Sequence, residues 1–214
     1  MFADTQALTF FPTTVWAHQL GPEDTTRIND GLRTALNGLL ASAPAPREGQ
    51  KLQTEQNLHT LPEFDEFSRM VMAAGRGVME FMHVAEEGLE ITSCWANFHP
   101  RGGFNPPHTH PNNYLGGVYY VDTPDESGAI TFEDPRAQPR IVSPRVSQYT
   151  AENTGRATMN VQPGLLLLFP AWLVHSVEPN PSDRMRISIS FNLMFSDYTE
   201  KVSPAQWEGH VRTG

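Results

Sequence analysis

The second half of the chain consists of short runs of β-forming residues separated by Gly, Pro, Asn and Asp, and this feature restricts the fold more than any other. Seven such runs follow Leu89: ITSCWANF, LGGVYYV, GAITFED, ATMNV, GLLLLFP, WLVHSV and RISISFNLMF. Short strands at this spacing, with turn-forming residues between them, predict a β-sandwich or a β-barrel. The chain's 18 prolines and 16 glycines favour the same loop-rich architecture over a helical bundle.

The N-terminal part of the chain has a different pattern. Aromatic residues leading up to Trp16 indicate a short entry strand, and between Pro22 and Leu40 apolar residues recur at helical spacing. A second helix is predicted from about Pro62, and Thr60 begins a capping-box pattern ahead of it. The polar, proline-containing segment 42–60 is predicted to be a connector. Both helices are expected to cover one face of a sheet.

Charge and cysteine content exclude several classes of protein. The net charge is −9 and the chain has no run of Lys or Arg, which argues against binding to nucleic acid or to an anionic membrane. The single cysteine, Cys94, can form neither an internal disulfide nor a Cys-rich metal site. The longest apolar run, Leu165 to Phe169, is too short to cross a bilayer, and the N-terminus lacks the pattern of a signal peptide. These features predict a cytoplasmic protein.

Three of the eight histidines have the spacing of a metal site. His108 and His110 are two residues apart, so on a strand both imidazoles would lie on the same face. His175 lies 67 residues after His108, directly after an apolar strand. Three imidazoles on one face of an octahedral ion leave three positions open, as a non-haem Fe(II) centre that binds dioxygen requires. The alternative is an exposed loop pair at His108 and His110 and a hydrogen-bonded core histidine at His175.

The strand after His175 has one apolar face, and its other face carries Arg184, Arg186, Ser188, Ser190 and Asn192. A polar face can be solvated, but small Ser and Asn side chains can also line a pocket. An Arg eleven residues after the histidine, with a Ser two residues further on, can bind a dicarboxylate, because the guanidinium binds one carboxylate bidentately and the hydroxyl adds a third hydrogen bond. The sequence leaves open which of the two arginines binds it.

The order of these elements resembles that of the 2-oxoglutarate/Fe(II) oxygenase superfamily. The chain has H-x-H, then Gly128 and Phe132 in a G-x-x-x-F element, then P-G-x-L-x-x-F from Pro163 to Phe169, and finally a His followed by R-x-S. The run PHTHPNNYLGGVYYVDTP is in addition similar to a bacterial and phage group of oxygenases with an H-x-H-P motif and an unassigned substrate. The resemblance covers about residues 91–196, with a weaker match in the N-terminal helices.

This resemblance implies a mainly β protein with N-terminal helices, of the α+β class. Its core is a double-stranded β-helix, also called a jelly roll or cupin-like fold, covered by two helices. Residues 1–90 then supply an N-terminal strand and supporting helices, 91–196 form the catalytic core, and 197–214 form a C-terminal tail, all within one structural domain.

The resemblance also implies roles for individual residues. His108 and His175 correspond to ligands of Fe(II), and Arg186, with Ser188 beside it, corresponds to the residue that holds the distal carboxylate of 2-oxoglutarate. Asn97 lies eleven residues before His108, as does an Asn that contacts the co-substrate in the alkylated-base demethylase branch. The alternative for Asn97 is a side chain that caps the backbone.

One position departs from the superfamily. Most members have Asp or Glu where this chain has His110, and a third imidazole makes the Fe(II) site one charge more positive. We predict that His110 is the third ligand, since the similar bacterial and phage group shares the histidine. If it is not, Glu133 or Asp134 is the carboxylate to consider next.

The sequence therefore predicts a 2-oxoglutarate/Fe(II)-dependent dioxygenase that oxidises, and most simply hydroxylates, a small-molecule or peptide substrate with dioxygen. Two alternatives stay open. A cupin-like metal enzyme that does not use 2-oxoglutarate would need three histidines but not the R-x-S pattern, and a non-catalytic metal- or ligand-binding module would bind metal without consuming dioxygen. The substrate and the oligomeric state, for which a homodimer is one option, cannot be read from the sequence.

Overall fold

The computed structural model of the chain describes residues 1–41, 43, 46–85, 88–137 and 141–201, leaving aside the side chains of 199–201. Within these residues the chain forms ten strands, three α-helices and two single-turn 3-10 helices, at Leu58–Thr60 and Pro62–Phe64. In chain order the strands and α-helices are β1 (Trp16–Gln19), α1 (Pro22–Leu40), β2 (Leu52–Gln53), α2 (Asp65–Phe81), β3 (Leu89–His99), β4 (Asn105–His108), β5 (Leu115–Asp122), β6 (Ala129–Glu133), β7 (Arg156–Asn160), β8 (Leu165–Pro170), β9 (His175–Val177), β10 (Arg186–Phe195) and α3 (Ser196–Lys201).

The strands form two antiparallel sheets. One has six strands in the order β1-β8-β5-β10-β3-β2, and the other has four in the order β4-β9-β6-β7. Apolar side chains of both sheets meet between them, among them Val118, Phe132 and Phe169. Two antiparallel sheets packed face to face in this way form the jelly-roll core, and the predicted fold class is confirmed.

Strand β10, at the middle of the six-stranded sheet, separates two environments. Its apolar face packs in the larger core cluster with α1 and α2, through Ile187, Ile189, Phe191 and Leu193. Its other face carries Arg186, Ser188, Ser190 and Asn192 and is turned towards the four-stranded sheet, because successive side chains of a strand alternate. The helices thus seal one side of the sheet with apolar contacts and leave a polar wall on the other side.

The predictions for the N-terminal half were partly wrong. Helix α1 has the predicted bounds, but the entry strand begins only at Trp16, and the aromatic residues before it, Phe10 and Phe11, are exposed. Segment 42–60, predicted to be a connector, contains β2. That strand has only two residues, too few to show the alternation by which a strand is recognised.

Helix α2 begins at Asp65, three residues later than predicted. The residues before it form a 3-10 turn, and Phe64 leaves the helical region with φ −107° and ψ 6°. The Thr60 hydroxyl does not cap the helix, since it donates to the carbonyl of Asn57 at 2.8 Å.

None of the helices in the described part of the chain combines the length and the hydropathy that a transmembrane span needs. The predicted C-terminal tail begins with α3, and its last residues, 202–214, lie outside the described residues.

Candidate metal centre and adjoining cavity

The three predicted histidines meet between the two sheets. His108 at the end of β4 and His175 at the start of β9 are direct partners in the antiparallel ladder, and their ring centroids are 4.3 Å apart. His110 lies just beyond β4, with its ring 5.3 Å from that of His108 and 5.1 Å from that of His175. One ring nitrogen from each residue lies within 4.8 Å of the other two, and no other group of His, Cys, Asp or Glu among the described residues has such an arrangement.

The route by which these residues converge differs from the prediction. Of His108 and His110, only His108 belongs to a strand, so the alternation of a single strand does not account for this pair. His110 is fixed instead by its backbone N–H, which donates to the carbonyl of Ala171 at 2.8 Å in the loop between β8 and β9. Pairing between distant segments therefore completes the cluster.

Each histidine uses the same nitrogen to orient itself. Nδ1 of His108 and Nδ1 of His175 each contact the carbonyl of the residue two positions earlier, at 2.8 and 2.9 Å, and Nδ1 of His110 contacts Oδ1 of Asn192. The Asn192 amide is itself oriented by the Nδ2 donation to Ser93 Oγ at 2.8 Å. Because these partners are acceptors, each Nδ1 carries the proton and each Nε2 keeps a free lone pair. The three Nε2 atoms are the ones available to a metal ion.

The electrostatics of the cluster favour neutral imidazoles. Burial lowers the pKa of His110 to about 4 and that of His175 to about 3, and it also lowers the pKa of His108. At neutral pH all three rings are therefore unprotonated at one nitrogen, as metal binding requires.

Packing around His110 depends on a glycine. A Cβ at Gly116 would lie 2.8 Å from Phe169 Cε2 and 3.1 Å from His110 Nδ1, so any side chain there would displace the ring. The Phe169 ring packs edge-on against His110 and lies 4.5 Å from His175, which closes this end of the cluster with apolar surface.

The two carboxylates considered as alternative ligands lie outside the cluster. Glu133 forms an ion pair with Arg156 at 3.6 Å, and Asp134 forms one with Arg136 at 2.8 Å. On β6 it is Phe132 whose ring approaches His175, so the next residue, Glu133, is on the other face of the strand.

The histidines border a cavity of about 200 Å³ between the sheets. The polar wall of β10 contributes Ser188 and Ser190, and β5 contributes Tyr120. Of the two adjacent tyrosines, Tyr120 faces the cavity, whereas Tyr119 donates to Asn29 Oδ1 of α1 at 2.7 Å. None of the described lining residues is acidic.

Arg186 lies behind the cavity wall, completely buried. Its Nη groups donate to three backbone carbonyls: that of Ser127, that of Glu178 at 3.1 Å and, more weakly, that of Gly103 at 3.5 Å. A guanidinium has five N–H donors, so two remain, and one of them is Nε–H, which is buried without a partner. Burial lowers the pKa of Arg186 to about 10, so it remains charged at neutral pH.

Other buried polar atoms near Arg186 also have no partner. They are the Tyr120 hydroxyl, His99 Nδ1 and Asn97 Oδ1. His99 is the partner of Arg186 in the β10–β3 ladder, and Asn97 is the partner of Ser188. Four of the seven such atoms in the described part of the chain thus belong to Arg186 and to residues near it, and one of these residues, Tyr120, lines the cavity.

The two remaining predicted residues, Arg184 and Asn97, lie in different surroundings. Arg184, the alternative to Arg186, has a side chain that is 69% exposed and pairs with Asp122 at 3.4 Å, away from the cavity. Asn97 does not cap the backbone: its Nδ2 donates to Ser190 Oγ at 3.0 Å. Sequence reasoning missed Asn192 as the partner of His110, although its place on the polar face of β10 was apparent.

Residues 93–192 match a family model described as "Putative 2OG-Fe(II) oxygenase". No curated protein matches the sequence. Among solved structures, HygX from Streptomyces hygroscopicus, crystallised with nickel and 2-oxoglutarate, is 14% identical over 92% of this chain and 90% of its own, with a TM-score of 0.63.

Two further structures are similar. The α-ketoglutarate-dependent epimerase SnoN from nogalamycin biosynthesis is 15% identical over 86% of this chain and 79% of its own, with a TM-score of 0.61. A prolyl-4-hydroxylase from Pseudomonas putida is 14% identical over 86% and 93%, with a TM-score of 0.56. At such identities the likeness shows the fold, and it extends across at least 79% of each chain.

Proposed function

We propose that the chain is a 2-oxoglutarate- and Fe(II)-dependent oxygenase, that His108, His110 and His175 hold the iron and that the enzyme hydroxylates its substrate. The match of residues 93–192 to the family model supports this proposal. The overall reaction converts 2-oxoglutarate, dioxygen and a C–H bond of the substrate into succinate, carbon dioxide and a hydroxylated product. Bound Fe(II) would supply the activation of dioxygen, and 2-oxoglutarate would supply two electrons.

One observation carries the assignment of the metal ligands. All three Nδ1 atoms contact fixed acceptors, so all three Nε2 lone pairs are free, in residues whose ligand atoms lie within 4.8 Å of one another. Histidines in the core without a metal have no need to share this tautomer. A neutral, preoriented set of three nitrogens suits a divalent ion that must keep open positions.

The residues around Arg186 fit the distal carboxylate of 2-oxoglutarate. The two remaining guanidinium donors and the Tyr120 hydroxyl are buried hydrogen-bond donors, and Ser188 Oγ lies beside them on the cavity wall. A carboxylate has about four acceptor positions and would satisfy these donors together. In this role Arg186 and Ser188 bind the co-substrate, and Asn97 holds Ser190 in the same wall.

The three imidazoles also set the charge of the site. With no carboxylate among the three histidines or the described lining residues, a bound divalent ion would keep its full 2+ charge for the negative charge of the co-substrate. Arg186 meets the other carboxylate. We expect this arrangement to hold 2-oxoglutarate tightly.

The partners in this function are 2-oxoglutarate, dioxygen and a small-molecule substrate. A peptide substrate, a homodimer, the absence of nucleic acid binding and a cytoplasmic location stay predictions from the sequence.

Anaerobic addition of Fe(II) and 2-oxoglutarate tests the proposal. We expect one equivalent of each to bind and to give the visible charge-transfer band of a chelated 2-oxo acid. In air, succinate should form faster when a library of metabolites and peptides contains the substrate. Metal binding without the band and without succinate would overturn the co-substrate assignment and favour a cupin-like enzyme or a non-catalytic module.

A further inference from the structure

One lysine lies at the rim of the cavity. Lys51 immediately precedes β2, the edge strand of the six-stranded sheet, and both Lys51 and Gln53 line the cavity. Leu52, between them, packs against the larger apolar cluster on the other side of the sheet. Strand alternation therefore directs the side chains of Lys51 and Gln53 towards the cavity.

Lys51 has no anionic partner in the described part of the chain. No carboxylate lies within ion-pair distance of its ammonium there, in contrast to Arg101 nearby, which pairs with Asp183 at 2.7 Å. Partial burial lowers the pKa of Lys51. An exposed ammonium that no carboxylate of the described residues neutralises is available to an anionic ligand.

The position of Lys51 distinguishes it from Arg186. Lys51 is an exposed residue at the outer edge, whereas Arg186 is buried at the inner wall. Lys51 precedes β2 at the edge of the six-stranded sheet, and His108 ends β4 in the other sheet. Both residues line the cavity, so Lys51 borders the space between the two sheets. A co-substrate that joins the metal to Arg186 leaves Lys51 available to a second anion.

Trp95 connects this rim to the histidines. It lies two residues before Asn97, the partner of Gln53 in the β2–β3 ladder, so it shares the face of Asn97 and Gln53. Its ring lies 6.0 Å from that of His110, and it lines the same cavity. An aromatic face between a cation and a metal centre suits an organic group that carries a charge at one end.

We infer that Lys51, with Gln53 beside it and Trp95 as a platform, binds an anionic group, carboxylate or phosphate, of the small organic substrate. This inference rests on the proposed function, since it assumes that the metal and 2-oxoglutarate occupy the inner part of the cavity. It restricts the substrate class to small anions whose oxidised carbon lies a few bonds from the charged group.

The test uses the protein loaded with Mn(II) and 2-oxoglutarate, and small probes whose proton relaxation by Mn(II) reports saturable binding. The probes are butyrate, propyl phosphate and the uncharged butyramide. We expect one of the two anions to bind at least tenfold more tightly than butyramide, and the better anion identifies the group. Lys51→Met should weaken that anion about tenfold, equivalent to about 1.4 kcal/mol, and Lys51→Arg should largely retain it.

Arg101→Gln is the matched control. It removes one positive charge from the same region of the surface, where the backbone of Gly49 bonds to that of Arg101, and it should leave the affinities for the anion and for 2-oxoglutarate unchanged. Equal binding of anions and butyramide, or an unchanged anion affinity in Lys51→Met, overturns the inference. So does a loss of 2-oxoglutarate affinity in Lys51→Met, because Lys51 would then belong to the co-substrate site. Failure of the parent protein to bind Mn(II) or 2-oxoglutarate appears before any probe is added and overturns the proposed function itself.

Discussion

The two ends of the cavity satisfy their polar atoms in opposite ways. At the histidine end, every Nδ1 contacts an acceptor of the protein, and even the amide of Asn192 is fixed by Ser93. At the other end, Arg186 Nε, the Tyr120 hydroxyl and His99 Nδ1 are buried without partners among the described residues. Both ends border the polar face of β10, which carries Asn192 at the histidine end and Arg186 at the other.

The difference follows from what each end has to bind. Metal ligands must point at one position before the ion arrives, so their second nitrogen is held by the protein. A small carboxylate brings its own acceptors, and donors that are already paired within the protein could not bind it. Buried donors without partners cost free energy, which a bound anion would recover. The comparison predicts that substitutions at the two ends have separable effects on metal and on 2-oxoglutarate.

The largest effect is expected at the histidine end. His175→Ala or His108→Ala removes one of three ligands, and we expect stoichiometric Fe(II) binding to be lost. Anaerobic titration with metal analysis measures it. His18→Ala, a change at an exposed position on β1, should leave one Fe(II) per chain. Unchanged stoichiometry in either cavity variant would contradict the ligand assignment.

His110, the proposed third ligand, is tested by two variants in the same titration. His110→Asp should retain some iron, because a carboxylate can replace the imidazole, whereas His110→Ala should lose most of it. If His110→Ala binds iron as well as the parent protein, the third ligand lies elsewhere.

A smaller and different effect is expected at the Arg186 end. Arg186→Ala should leave Fe(II) in place and weaken 2-oxoglutarate by about 2–4 kcal/mol, roughly thirty- to a thousand-fold, because a charge-assisted bidentate contact is lost from a partly dry pocket. The intensity of the charge-transfer band during titration measures this affinity. Arg184→Ala is the control on the same strand and should change the affinity little, since its side chain is exposed.

Two outcomes would contradict the role of Arg186. A large loss of 2-oxoglutarate affinity in Arg184→Ala with none in Arg186→Ala would assign the carboxylate contact to Arg184. No loss in either variant would exclude both arginines from the contact. Because Arg186 also donates to three carbonyls, its variant should be checked for a lowered melting temperature. Arg186→Lys keeps the charge and separates the effect on folding from the effect on binding.

The sequence predicted those parts of the molecule that depend on a regular local pattern. The alternation in β10 is ten residues long, so its polar and apolar faces were predictable, as was α1 with its regular apolar spacing. Strand β4 was concealed by two consecutive prolines, and β2 by its length. These short strands exist because a strand far away in the chain, β9 for β4 and β3 for β2, offers them hydrogen bonds, and no local pattern records such a pairing.

The contacts that complete the site were unpredictable for the same reason. The acceptor of His110 is Asn192, 82 residues later, and the choice between Tyr119 and Tyr120 depends on which face of β5 meets the helices. Lys51 lies in a segment that the sequence predicted to be a connector. Such contacts are set by the register between distant strands.

Asn192→Ala tests the hydrogen bonds of the histidine end without removing a ligand. We expect Fe(II) affinity to fall roughly ten- to a hundredfold, because His110 loses the acceptor that fixes its tautomer and orientation. Asn192→Asp keeps an acceptor and should lose less. Ser93→Ala, which removes only the support of the amide, should lose least. Equal iron affinity in all three variants would show that packing against Gly116 and Phe169 is sufficient to orient the ring.

The last expected effect concerns protonation at the Arg186 end. Burial, and after it the charges of Arg186 and Lys51, lower the pKa of His99 to about 4. Since an unfolded histidine titrates near 6.5, the unfolded chain binds the extra proton first as the pH falls, and stability is lost between about pH 6.5 and pH 4. For His99 alone the loss of stability from pH 7.5 to pH 5 is about 2 kcal/mol.

Urea unfolding of the metal-free protein at both pH values measures this loss in the parent and in His99→Gln. The variant keeps the contributions of the other histidines, and its difference at pH 7.5 isolates the cost of altered packing. The parent should therefore lose about 2 kcal/mol more than His99→Gln on acidification, and an equal loss in both would mean that His99 can accept a proton in the folded state.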